Sequence, residues 1–145
     1  MPVAANSDRW TVVGTNDFGP GEDLLTNTNI IVAASRARLP EATVFSGLET
    51  FRNAGTFNLS DDVSGGGSVF FDTLQIAGDF TGFGGVLQLD VSLGGIGSLA
   101  DTLVINGTAT GVTGIVLNNT RPGTGALTPI FCWWTPPTRR GMSLC

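Results

Sequence analysis

Histidine, lysine and tyrosine are absent from this 145-residue chain, and its two cysteines, Cys132 and Cys145, both fall near the C-terminus. Without histidine the chain lacks the side chain that most often serves as general base and metal ligand. No lysine or tyrosine is there to partner a carboxylate either. Charged residues are 13% of the chain, about half the usual share, too few to clothe the solvent faces of ordinary helices. All seven cations are arginine and the net charge is -5. That balance opposes nucleic acid and anionic membrane surfaces, which need clustered Lys and Arg. Arg36 with Arg38, and Arg139 with Arg140, read as solvated charge. The N-terminus MPVAANSDRW has no cationic segment followed by an apolar run, so it does not read as a signal peptide. No stretch approaches the roughly 18 apolar residues of a membrane helix. As written, the chain is expected to remain cytoplasmic, whereas its low charge and late cysteines suit a secreted β-rich surface protein.

What is present is alternation. In VLQLDV (86–91), Leu87, Leu89 and Val91 point one way and Gln88 and Asp90 the other, as a strand with one buried face requires. Leu74 and Ile76, Leu103 and Ile105, and Phe57 and Leu59 follow the same rule. Between them lie NAG, DDVSGGGS, TGFGG, SLGGIGS, NGTATG and NNTRPGTG, which read as turns. LPEATVFSGLETF comes nearest to a helix, and its β-branched and Gly content argues against one. The length predicts one domain.

The chain also repeats itself. DTLQIAGDFTGFGGVLQLDV (72–91) laid over DTLVINGTATGVTGIVLNNT (101–120), an offset of 29, matches at eight of twenty positions. These are Asp72/Asp101, Thr73/Thr102, Leu74/Leu103, Ile76/Ile105, Gly78/Gly107, Thr81/Thr110, Gly82/Gly111 and Gly85/Gly114. A looser echo links TNTNIIVA (26–33) to RNAGTFNL (52–59), with Asn29 in the place of Gly55. Such a period means stacked units. With strands of three to six residues and no helix, it predicts an all-β, right-handed parallel β-helix. Residues 101–120 make one coil, with Asp101 at its corner, Leu103 and Ile105 inside, NGTATG turning, and Ile115 and Leu117 on the returning strand. Leu74, Ile76, Leu87, Leu89, Leu103, Ile105 and Leu117 are the expected core.

The order GLETFRNAGTFNL, LQIAGDFTGFGGVLQLDVSLGG, ADTLVINGTATGVTGIVLNN resembles the C-terminal end of an autotransporter passenger, the autochaperone region that precedes the membrane β-barrel. WTVVGTNDFGPGEDLLTNTNIIVAA is similar to the coils before it. The resemblance covers about residues 10–130. It implies a Gram-negative parent at the cell surface or secreted, whose partner is its own outer-membrane β-barrel. It also implies that these last coils act as folding nucleus and cap during secretion. The expected organisation is an N-terminal extension (1–9), β-helix coils (10–130) with an autochaperone-like part from about 44, and an aberrant tail (131–145).

The tail IFCWWTPPTRRGMSLC departs from the pattern. Phe and Cys codons end in a pyrimidine and Trp has one codon, so reading FCWWT from each third base forces Leu-Leu-Val-Asp, a strand of the kind expected there. The tail therefore reads as a frameshift near Ile130. It is expected to lack order, because Pro136 and Pro137 bar a ladder, and weak self-association through the open β-helix end is expected to follow.

Rival motifs have plainer readings. GIGSLA (95–100) fits GxGxxA, but a strand follows instead of a helix, and no acid lies about 20 residues on. GGG (65–67) lacks the Lys-Ser/Thr of a phosphate loop. Asp61, Asp62, Asp72, Asp79, Asp90 and Asp101 admit a β-helical carbohydrate-active enzyme or glycan-binding module. Asp at strand starts and turns also caps backbone N–H groups, and that reading is preferred. The sequons at Asn58, Asn106 and Asn118 read as turns, and Cys132 and Cys145 carry no assigned role. The chain is expected to be no enzyme, with no catalytic, cofactor-binding or metal-ligating residue and no cofactor.

Overall fold

The computed structural model describes residues 3–33, 42–60, 72–92, 99–119 and 142–143. Strands are the regular elements there, and they stack in parallel into a three-sided β-helix. The first side is built from β1 (Val3–Asn6), β4 (Leu24–Asn27), β7 (Thr50–Asn53) and the first part of β10 (Asp79–Ser92). The second is β2 (Arg9–Thr11), β5 (Ile30–Val32), β8 (Thr56–Asn58) and the rest of β10. The third is β3 (Gly14–Asp17), β6 (Ala42–Ser46), β9 (Thr73–Ile76) and β12 (Thr102–Ile105). Two short strands add antiparallel edges: β11 (Leu99–Ala100) on β10 and β14 (Met142–Ser143) on β12. The longest ladder joins β10 to β13 (Ala109–Asn119). The stretch nearest to a helix in the sequence contributes β6 and the start of β7. Val3–Asn6 pairs with β4, so the first coil begins ahead of residue 10.

Successive coils lie 21, 26 and 29 residues apart, as the separations across their hydrogen bonds show. The offset of 29 read from the sequence is the register itself. Thr73, Leu74 and Ile76 pair with Thr102, Leu103 and Ile105, and Thr81 and Gly82 with Thr110 and Gly111. The echo at 26–33 and 52–59 is also in register, Asn27 over Asn53 and Ile31 over Phe57.

Alternation sends one side chain in two to the inside, where stacking between coils removes it from water. Phe45, Phe51 and Phe57 are fully buried and meet at ring-centroid distances between 5.1 and 6.2 Å. Trp10 stacks on Phe45 at 5.8 Å. Leu74, Ile76, Leu87, Leu89, Leu103 and Ile105 are buried as expected. Leu117 is not: it is 48% exposed. Its strand is the outermost of its ladder among the described residues, so its inward-pointing side has no neighbour above.

Two expected turns are strand instead. TGFGG (81–85) lies inside β10, and Ala109–Gly111 opens β13. In the first three coils the bend between the first two sides is built on asparagine. Asn6 donates to Asn27 Oδ1 at 2.8 Å, and Asn27 to Asn53 Oδ1 at 2.8 Å, in a buried ladder. The next coils place Gly82 and Gly111 there. Gly84, at φ +78°, absorbs the bend as a bulge, and the strand runs on. Positive φ without a side-chain penalty permits this. The bulge costs one residue of register, so Gly85 pairs with Thr113 and not with Gly114.

Candidate functional site

The part of the molecule with unusual chemistry is its last coil, residues 99–119, and the corner that holds it. Asp101 ends the bend before β12. Its Oδ1 accepts the N–H of Asp72 at 3.2 Å and its Oδ2 the N–H of Asp90 at 2.7 Å. Its own N–H donates to the Asp90 carbonyl at 3.0 Å, and that of Thr102 to the Asp72 carbonyl at 2.8 Å. One side chain thus ties two successive coils at their shared corner.

Asp72, Asp90 and Asp101 are all buried. Burial is the main reason the Asp101 carboxyl is raised from 3.8 to about 7. The negative charges of Asp72 and Asp90 push the same way, and the two N–H donors oppose them. These are the expected effects of desolvation and like charge on a carboxylate. Asp90 accepts from Ser60 Oγ and from Asn118 Nδ2, each at 2.7 Å. Asp79 Oδ1 accepts the N–H of Thr108 at 2.7 Å across the next corner.

Of the candidate carboxylates, the structure brings Asp72, Asp90 and Asp101 together, buried inside the corner. Asp79 caps a neighbouring turn. Asp61 and Asp62, the GGG run, residues 95–98 of GIGSLA, and the tail apart from Met142–Ser143 lie outside the described residues. Leu99–Ala100 is a strand that leads into β12. Asn58 Oδ1 accepts the N–H of Ser60 at 2.8 Å, the turn-forming role read for its sequon.

The opposite feature of the coil is apolar. Val112, Ile115, Val116 and Leu117 are 72, 52, 48 and 48% exposed. An open cavity of about 320 Å³ at this end is lined by Phe80, Leu87, Leu103, Ile105, Ala109 and Ile115 among others. Ile115 and Leu117 share the inward side of Leu87 and Leu89 and would face a further coil if one lay on top, whereas Val112 and Val116 pair with Phe83 and Gln88 on the outer side. The arrangement is that of a stacking platform: a tied corner, a long ladder and an apolar end.

Sequence reasoning placed Asp101 at a corner but missed the asparagine ladder and the Asp90–Asn118 contact. The signal for the ladder was present, since Asn27 and Asn53 coincide in the 26-residue echo.

The family model described as "Autochaperone Domain Type 1" matches residues 46–130. The chain is similar to the probable autotransporter YfaL of Escherichia coli (strain K12), at 45% identity over 67 residues. That stretch is 46% of this chain and 5% of that much longer protein. No solved structure matches.

Proposed function

Because this chain belongs to the autochaperone domain type 1 family, we propose that its last two coils are the folding nucleus and cap of a longer autotransporter passenger. The β10–β13 ladder carries the reading. It pairs eleven residues from Phe80 to Val91 with Ala109 to Asn119, while the strands of earlier coils pair three or four at a time. A solenoid can start wherever two neighbouring coils first hold each other, then grow by adding coils. The longest ladder and the Asp101 tie both sit at this end.

The parent's passenger would lie at the cell surface or be secreted, and its partner would be its own outer-membrane β-barrel. The autotransporter relative supports both statements. The role is structural: the family is not an enzymatic one, and the Asp101 carboxyl bonds two backbone N–H groups. The end of the family match at residue 130 supports reading residues 131–145 as out of frame, and the flanking DNA tests that.

Refolding kinetics test the nucleus. Leu103→Ala, in the last coil, should slow refolding, whereas Leu25→Ala, in the second, should chiefly speed unfolding. The opposite assignment would end the proposal.

A further inference from the structure

Asn106 and Gly107 form the bend between β12 and β13, and both are exposed. They make the one Asn-Gly step in the chain. The side chains of Asn6, Asn16, Asn27, Asn29, Asn58 and Asn118 are each held by a hydrogen bond. Among the described residues, no hydrogen bond holds that of Asn106. Its backbone is the opposite case. The N–H groups of Asn106 and Gly107 donate to the carbonyls of Ile76 at 2.9 Å and Gly78 at 3.1 Å, and the N–H of Thr108 donates to Asp79 Oδ1 at 2.7 Å. Three successive amides of the last coil are therefore tied to the coil below. Position 107 also needs glycine, because a Cβ there would come within 2.5 Å of Asp79 Oδ1 and 2.6 Å of the Gly78 carbonyl.

We propose that Asn106–Gly107 is a self-modification site, a deamidation step that docking of the last coil holds back. The Gly107 nitrogen, giving up its proton to solvent hydroxide, attacks Asn106 Cγ. A bond forms between them, the Cγ–Nδ2 bond breaks, and Nδ2 takes a proton from water and leaves as ammonia. Water then opens the five-membered imide at either carbonyl, leaving aspartate or isoaspartate at 106. Glycine favours the attack, since it has no side chain to crowd the ring and the widest backbone freedom. In the closed coil the attacking nitrogen is held on the Gly78 carbonyl. The reaction therefore runs from the opened coil, at the free-chain rate multiplied by the open fraction.

Reclosing is then opposed. An acid at 106 is the first ionisable group between residues 102 and 119, and it stands at the corner that Asp79 caps, where like charges repel. Isoaspartate also adds a methylene to the backbone between β12 and β13, so the amides of Gly107 and Thr108 no longer reach Gly78 and Asp79 together. A last coil that has opened and reacted stays open. The terminal-coil geometry carries this whether or not the coil nucleates folding.

Incubation of the full chain at mildly alkaline pH, in buffer and in urea, tests it. Intact mass reports conversion of amide to acid, and peptide mapping gives its position. Asn106 should convert before every other asparagine in urea, and about tenfold or more slowly in buffer. Ile105→Val, which loosens the last coil but keeps its shape, should speed the reaction in buffer about two- to tenfold and leave the rate in urea unchanged. Asn106→Gln, whose ring closure is less favourable, should stay unmodified over the same period. Far-UV circular dichroism establishes that both variants fold. The modified chain, separated by its added charge, should exchange the amide hydrogens of residues 102–119 faster than the unmodified chain. Equal rates in buffer and in urea, earlier conversion at another asparagine, an Ile105→Val chain no faster than the parent, or unchanged exchange after modification would each overturn the proposal.

Discussion

Asp101 and Asp90 clasp each other twice: the Asp90 N–H reaches Asp101 Oδ2 at 2.7 Å, and the Asp101 N–H reaches the Asp90 carbonyl at 3.0 Å. The clasp joins the end of β10 to the start of β12. It also buries a carboxyl beside two others, and that carries a consequence for pH.

The Asp101 carboxyl sits at about 7 in the fold against 3.8 as the ordinary value. A raised acid favours folding while it is protonated. Its contribution is therefore full below about pH 4 and is lost as pH rises through about 7, with no further change above. Urea midpoints measured from pH 4 to pH 8 should fall across that window and then level. Asp101→Asn should flatten the fall. A midpoint that climbs steadily from pH 5 to pH 7 would contradict the buried-acid account.

Leu103 and Gln88 lie on opposite faces of their strands, Leu103 buried and Gln88 half-exposed beside Asn58 and Val116. Leu103→Asp buries a carboxylate without a partner, which costs several kcal/mol, comparable with the roughly 5 to 15 kcal/mol that holds a domain together. Cooperative unfolding should disappear. Gln88→Asp should change stability by no more than about 0.5 kcal/mol. Equal losses in the two variants, read by thermal melts, would mean that the assigned faces are wrong.

The asparagine ladder makes a graded prediction. Asn27 Nδ2 donates to Asn53 Oδ1 and to the Thr56 carbonyl, and its Oδ1 accepts from Asn6. Asn53 closes the row, and its Nδ2 has no hydrogen-bond partner. Asn27→Ala breaks bonds on both sides in a buried row and should cost about 1–3 kcal/mol. Asn53→Ala removes a donor that is already unmatched, so it should cost less. Denaturant titration of the two variants gives the order directly, and the reverse order would refute it.

Much of the architecture was legible because a solenoid repeats its contacts at one spacing. Leu74 over Leu103 and Ile76 over Ile105 are at once a sequence repeat and a hydrogen-bonded register. Two things were hidden. Leu117 obeys the alternation and is still exposed, since alternation reports which way a side chain points and not whether a coil lies above it. The meeting of Asp72, Asp90 and Asp101 depends on separations of 11 and 29 residues acting together, and no single period contains both.

The remaining error, the pairing of Gly85 with Gly114, yields the sharpest test of the bulge. Had the offset of 29 held through the whole repeat, the two glycines would sit in equivalent places and tolerate a methyl group alike. The bulge at Gly84 separates them. A Cβ on Gly85 would come within 2.5 Å of Asn53 Nδ2 and of the Gly55 carbonyl oxygen, below any ordinary contact, while one on Gly114 would stand 3.8 Å from its neighbours. The Gly55 carbonyl is fixed, because it accepts the Val86 N–H at 2.9 Å. Relief must therefore come from the backbone of β10, at the usual cost of overpacking, about 1–3 kcal/mol. Gly85→Ala should lower the melting temperature by several degrees, and Gly114→Ala should leave it nearly unchanged. Matching shifts in the two variants would show that β10 and β13 keep a single register from end to end.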